Sequence, residues 1–128
     1  MSTRPPTGST SAIRVTVIGP CASGKTTLVE HLQALGFDAW ATAQEHSGVP
    51  DLWNHQHPDA LIGLRTDLET IRQRRGESWP QSIYDAQMAR LQTAYQSAGL
   101  IVDTSISSEE ESLRAALAYL KEVGSTPR

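Results

Sequence analysis

Gly19-Pro20-Cys21-Ala22-Ser23-Gly24-Lys25-Thr26 is the stretch of this chain whose residue types and spacing point most directly to chemistry. It fits G-x-x-x-x-G-K-(S/T), a pattern in which each part has a task around a chain of phosphates. Gly19 lets the backbone turn tightly out of a strand, and Gly24 lets it approach an anion with no Cβ in the way. Successive N–H groups form an anion nest, and the positive end of a following helix dipole adds to it. Lys25 brings a point charge to the terminal phosphates, and the Thr26 hydroxyl is placed to ligate Mg²⁺. Thr27 neighbours these groups and is not a metal ligand by pattern. The expected ligand is Mg²⁺ with ATP or GTP, held by Gly19, Pro20, Cys21, Ala22, Ser23, Gly24, Lys25, Thr26 and Thr27. Cys21 reads as a small loop residue, with a reactive thiol as the alternative.

Other residues offer weaker signals. Glu45 follows the apolar-leaning stretch Ala39 to Ala43, at what would be the carboxyl end of a strand, where open α/β sheets place ligands. There it could accept a proton from an acceptor hydroxyl or hold a metal-bound water; a solvated loop carboxylate is the bland alternative. Arg72, Arg74, Arg75 and Arg90 could neutralise a phosphoryl group through bidentate contacts, or simply complement the ends of helices. His55 and His57 form a His-x-His pair with no cysteine or third histidine nearby to complete a metal site. Trp53 and Trp79 read as packing residues under loops before they read as base-stacking ones.

These residues need elements to position them. Ile13 to Ile18 is β-branched and nearly continuous, like a strand buried on both faces of a parallel sheet. After the glycine-rich turn, Leu28, Val29, Leu32 and Leu35 recur at helical spacing from Lys25 to Leu35, and Gly36 ends the run. Phe37 to Ala43 is a second, weaker strand, followed by a polar connection from Gln44 to Pro58. Ala60 to Leu64 is a third strand, and Thr66 with Glu69 forms a capping box ahead of a helix. The pattern breaks between Arg74 and Pro80; Tyr84, Met88, Leu91 and Tyr95 then mark one face of a helix reaching Ala98. Leu100 to Val102 is a fourth strand, and Ser107 with Glu110 caps a last helix that buries Leu113, Ala116, Leu117 and Leu120. Strands alternating with helices make the class α/β, with a parallel sheet and helices on both faces.

With its elements in order, the chain resembles the P-loop kinase group that includes shikimate kinase and adenylate kinase. The loop with its strand and helix carries the likeness first. Ala60-Leu-Ile-Gly-Leu-Arg-Thr-Asp-Leu-Glu-Thr-Ile-Arg-Gln-Arg-Arg75 looks like the strand, capped helix and arginine cluster that lead into a kinase lid. Arg90, Tyr95 and Ala98-Gly-Leu-Ile-Val-Asp-Thr-Ser105 look like the last lid arginine, last strand and base-side loop. Gln44-Glu45-His46-Ser47 resembles the Glu-Arg-Ser of deoxynucleoside kinases. The resemblance implies a P-loop NTPase fold, a three-layer sandwich on a mostly parallel sheet of about four or five strands. It implies transfer of a γ-phosphoryl group to a small-molecule acceptor, with Lys25, Glu45, Arg75 and Arg90 as the catalytic set and Asp103 and Thr104 beside the base. The chain departs from the group in a shortened middle section and in lacking a hydrophobic run that ends in a Walker-B aspartate. Two rival expectations follow: a nucleotide-binding regulatory or interaction protein without turnover, and a slow NTPase.

Composition fits that frame. The 128 residues suit one domain, since chains spend about 100 to 200 residues on each. Residues 12–123 are expected to form it, with loose tails at 1–11 and 124–128. Eleven Lys and Arg against fourteen Asp and Glu give a net charge of −3, which supplies no general positive field for duplex nucleic acid. One cysteine, no spanning apolar run and no apolar leader at the amino terminus point to a cytoplasmic protein without membrane partners. Oligomeric state, including a homo-oligomer, is left open.

Overall fold

Val15, Val17 and Ile18 have the β-branched side chains that suit a pleated, two-sided environment. In a computed structural model describing residues 12–125 they lie on β1, Arg14–Ile18, whose last four residues are all buried. β2 (Asp38–Ala41), β3 (Ala60–Arg65) and β4 (Leu100–Asp103) join it in a four-stranded sheet of order β2-β1-β3-β4. Every neighbouring pair is parallel, with Val15 opposite both Ala39 and Ala60, and Leu64 opposite Val102. The period of two sends Val15, Val17, Ile62, Leu64 and Val102 to one face, and Ile18 and Leu61 to the other.

Helices cover both faces. α1 (Lys25–Ala34) buries Leu28, Val29 and Leu32 on the first, beside Ala116 and Leu120 of α4 (Glu109–Ser125). α3 (Gln81–Ser97) buries Leu91 and Ala94 on the second, with Met88, Tyr95 and Trp53 packed against them. The chain moves from β1 to β2 in one direction along the sheet and from β3 to β4 in the other. Right-handed crossovers then require α1 and α3 to lie on opposite faces. The connection from β2 to β3 passes β1 without an α-helix. It is built from two 3-10 turns, Gln44–His46 and Leu52–Asn54. Fully buried Gln44 organises it, donating to the Val49 carbonyl (2.6 Å) and accepting from the Trp53 amide (2.9 Å).

Both helix caps fall one residue later than the spacing predicts. α2 (Leu68–Arg75) is capped by Asp67, whose carboxylate accepts from the Thr70 amide at 2.7 Å. Thr66 is instead buried, sharing a 2.6 Å hydrogen bond with Thr104. The box of α4 is Ser108 with Glu111, each side chain bonded to the other's amide. α4 also continues through Ser125, past the Gly124 where fraying was expected. The expected loose tail at 1–11, and residues 126–128, lie outside the described residues. Among the described residues no helix is long and apolar enough to cross a membrane.

Two stability predictions follow from this packing. A Cβ at Gly63 would stand 2.9 Å from the Tyr95 ring, which is fixed by the 2.7 Å bond from its hydroxyl to the Leu64 carbonyl. Gly63→Ala is expected to lose about 1–3 kcal/mol in urea unfolding, and a wild-type midpoint would show that the ring yields freely. Asp67→Ala should lose about 1 kcal/mol at neutral pH. Its hydrogen bonds to Thr70 hold the Asp67 carboxyl below the ordinary 3.8, so the cap contributes fully above that value and less as pH falls through the lower folded one. The gap between wild type and variant should therefore close only in strong acid, and a gap independent of pH would contradict an ionised cap.

Candidate functional site

All four strands run the same way, so the loops after β1, β2, β3 and β4 gather at one edge, the edge where parallel α/β sheets receive ligands. The Gly19–Thr26 loop is folded tightly there. A Cβ on Gly19 would stand 2.7 Å from Ser23 Oγ and 2.8 Å from the Leu64 carbonyl, so no larger residue fits unless the loop shifts. Ala22 (φ 63°) and Gly24 (φ 98°) are left-handed on either side of buried Ser23, and left-handed residues of this kind are a component of anion-binding nests. Gly24 caps α1 with no side chain, which leaves the amides of the first turn without a side-chain acceptor.

Lys25 and Glu45 meet across this loop. Lys25 Nζ lies 2.9 Å from Glu45 Oε2 and also donates to the carbonyls of Gly19 (2.7 Å) and Pro20 (3.1 Å). The side chains are 13 % and 5 % exposed. Glu45 reaches this position because β2 is the direct neighbour of β1. The Thr42 amide extends their ladder to the Val17 carbonyl, and the first 3-10 turn then brings Glu45 over the loop. Its second oxygen, Oε1, is buried with no hydrogen-bond partner. Arg90 donates to the Glu45 carbonyl at 3.2 Å, so the structure brings Lys25, Glu45 and Arg90 together.

Cys21 is held more firmly than a small loop residue requires. Its amide donates to Gln87 Oε1 (3.0 Å), and Gln87 Nε2 donates to its sulfur (3.2 Å). His46 Nε2 stands 3.6 Å from the same sulfur and 3.7 Å from Glu45 Oε2. His55 lies 3.4 Å from Asp51, away from this cluster.

On the other side of the loop a cavity of about 360 Å³ lies between Ala22–Gly24, Thr27, Thr104 and the start of α4. Its size suits a small organic ligand. Arg74 lines it and bridges its rim, donating to the Ala22 carbonyl (2.6 Å) and the Thr104 carbonyl (2.8 Å). Arg75, favoured by the resemblance, stacks instead on Trp79 at the end of α2, and Arg72 bonds the Trp79 carbonyl. Thr104 is buried beside Thr66, while Asp103 is exposed and accepts from the Ser105 amide. Thr26 is exposed on the first turn of α1. Trp53 packs against the α3 face, as expected of a residue under a loop.

Compared with known proteins, the chain matches no family model and no curated protein.

The site therefore joins a glycine-bounded loop, an ammonium, a buried carboxylate and a two-carbonyl arginine bridge. Gln87, His46 and the particular role of Arg74 escaped the sequence reading. Gln87 did leave a trace: it falls among Tyr84, Met88 and Leu91 on an otherwise apolar helical face, where a polar side chain must find buried partners. Losing the Arg74 bridge should free the loop. In Arg74→Ala, hydrogen exchange of the Cys21–Gly24 amides is expected to quicken roughly tenfold, about 1.4 kcal/mol of local opening, and Arg74→Lys should not restore it because an ammonium lacks the planar fork. Unchanged exchange in both variants would mean that the loop holds itself.

Proposed function

We propose that this chain is a P-loop phosphotransferase of the small-molecule kinase type, on the P-loop NTPase fold, taking Mg²⁺ with ATP or GTP as phosphoryl donor. The observation that carries the reading is the 2.9 Å pairing of Lys25 with a buried Glu45 whose other oxygen is unpartnered, at the mouth of a left-handed, glycine-bounded loop. A Walker-B aspartate was missing from the sequence; Glu45, delivered by the strand beside β1, is suited to that task.

The residues present fit the donor. The amides of 22–26 would hold the phosphates, and the cavity bounded by Arg74, Thr104 and Ser107 would take the base and ribose. Thr26 would hold Mg²⁺, with Glu45 facing its waters; the metal supplies charge neutralisation on the phosphate oxygens. Lys25 would exchange its bond to Glu45 for one to the terminal phosphate. The acceptor hydroxyl attacks the γ-phosphorus, its proton passes to the released Glu45 carboxylate, and the bond from phosphorus to the bridging oxygen breaks to leave the nucleoside diphosphate. Arg90, anchored on the Glu45 carbonyl, would position that carboxylate.

One observation favours the rival of binding without transfer: the span from β2 to β3 consists of two 3-10 turns, a small platform for an acceptor. Calorimetry and a phosphate-transfer screen separate the two readings. Lys25→Ala is expected to weaken Mg–nucleotide binding roughly ten- to a hundredfold. Glu45→Gln should keep binding and slow transfer by about 10²–10⁴. Nucleotide bound by wild type with no transfer and no phosphate release would favour the regulatory reading, and wild-type affinity in Lys25→Ala would remove the loop from the mechanism.

A further inference from the structure

The geometry points to a zinc-class metal site at the corner between the two loops, with Cys21 Sγ, the Glu45 carboxylate and His46 Nε2 as its ligands. Their donor atoms all lie within 4.8 Å of one another, with sulfur to nitrogen 3.6 Å and nitrogen to Glu45 Oε2 3.7 Å. Donors on one tetrahedral Zn²⁺, at Zn–S of about 2.3 Å and Zn–N or Zn–O of about 2.0–2.1 Å, stand about 3.3–3.6 Å apart. The sulfur–nitrogen and nitrogen–oxygen spacings are within a few tenths of an ångström of that, and all three donors lie within 4.8 Å, so closure on an ion calls for side-chain adjustment and no rearrangement of the backbone is implied. Three protein ligands leave the fourth position for water, the open arrangement of reactive rather than purely structural zinc.

Chemistry selects the class of ion. A thiolate and an imidazole beside one carboxylate favour Zn²⁺ and its neighbours over Mg²⁺, which takes hard oxygen donors. Two further observations support a resident cation. Glu45 is 5 % exposed by side chain and keeps Oε1 unpartnered while Oε2 carries Lys25, so the carboxylate retains acceptor capacity for a cation. Gln87 fixes Cys21 at both its amide and its sulfur, as the supporting partners of metal ligands do. His46 is 58 % exposed and gives an ion its route from solvent. The site rests on donor geometry alone; its consequence, that zinc would withdraw Glu45 from phosphoryl transfer, rests on the proposed function.

The test titrates metal-free full-length protein with Co²⁺ in the absence of nucleotide. One equivalent should produce thiolate-to-cobalt charge-transfer absorption with intense tetrahedral ligand-field bands, both bleached by Zn²⁺. Cys21→Ser should abolish the charge-transfer band. Removing even an indirect partner of a ligand costs about 10–100-fold in affinity, so His46→Ala should weaken Zn²⁺ binding at least that much. The double change His55→Gln with His57→Gln should leave it unaltered, and far-ultraviolet circular dichroism checks that each variant is folded. The site is overturned if cobalt gives no thiolate band, if Cys21→Ser binds Zn²⁺ like wild type, or if binding disappears with His55 and His57 instead. Since nucleotide is absent throughout, a failure here leaves the phosphotransfer reading standing, and the converse also holds.

Discussion

A lysine ammonium drawn out of water needs an acceptor for each of its three N–H bonds, and this requirement organises the functional edge of the molecule. Lys25 finds two acceptors in the carbonyls of its own loop and the third in Glu45. The first two demand that the chain fold back over Gly19, which is why a side chain there would collide with Ser23 and the Leu64 carbonyl. The third demands that the strand carrying Glu45 lie directly beside β1. A sheet with β2 elsewhere would leave a mostly buried cation without its counter-charge, and breaking such a pair costs about 3–5 kcal/mol. Loop conformation and strand order thus answer to a single electrostatic need.

Around that pair, side chains occupy the polar groups that the ends of parallel strands leave behind. Thr16 with Thr42 and Thr66 with Thr104 link neighbouring strands or their exits through hydroxyls at 2.7 and 2.6 Å. Tyr95 and Tyr84 on α3 bond the carbonyls of Leu64 and Thr66, and Arg74 bonds those of Ala22 and Thr104. With these acceptors taken, the rim of the cavity is held in place, and the start of α1 is left without a side-chain cap. A rigid rim with open amides is the preorganisation that lets a backbone site bind charge without first rearranging.

Local chemistry explains what was readable beforehand. The four strands, the long helices and the glycine-rich turn after β1 were legible to within a few residues because each depends on its own period of apolar side chains or its own glycines. The caps slipped by one residue because Asp67 and Ser108 are equally good capping residues that accept from the next amide along, and at α2 a tertiary contact decides between the candidates: Thr66 is drawn into the core by Thr104. The order of the sheet was not legible, and with it went the meeting of Glu45 with Lys25 and of His46 with Cys21. These partners are 20 and 25 residues apart and carry no shared motif. Arg74 stood behind Arg75 and Arg90, which the resemblance favoured, until the helix end fixed which guanidinium faced the loop.

The buried carboxylate also bears on which anions the site can accept. While Lys25 pairs with Glu45 the corner is close to neutral, and an incoming phosphate that took the ammonium would leave Glu45 charged and facing it. Two unit charges about 4 Å apart repel by about 4 kcal/mol at an effective dielectric of 20, more than the roughly 1.5–3 kcal/mol that a charge-assisted ammonium–phosphate hydrogen bond contributes. On the proposed function, a bare polyphosphate would therefore be a poor ligand for this loop. One that arrives with its own divalent cation would be a better one, because the cation would take over the role of Lys25 toward Glu45. The same reasoning makes the unpartnered Oε1 a receptor for positive charge rather than a packing defect. On the two proposals taken together, the identity of the ion would decide what Glu45 does: a hard ion with its waters would leave the carboxylate able to receive a proton, and a soft one bound through Cys21 and His46 would take that ability away.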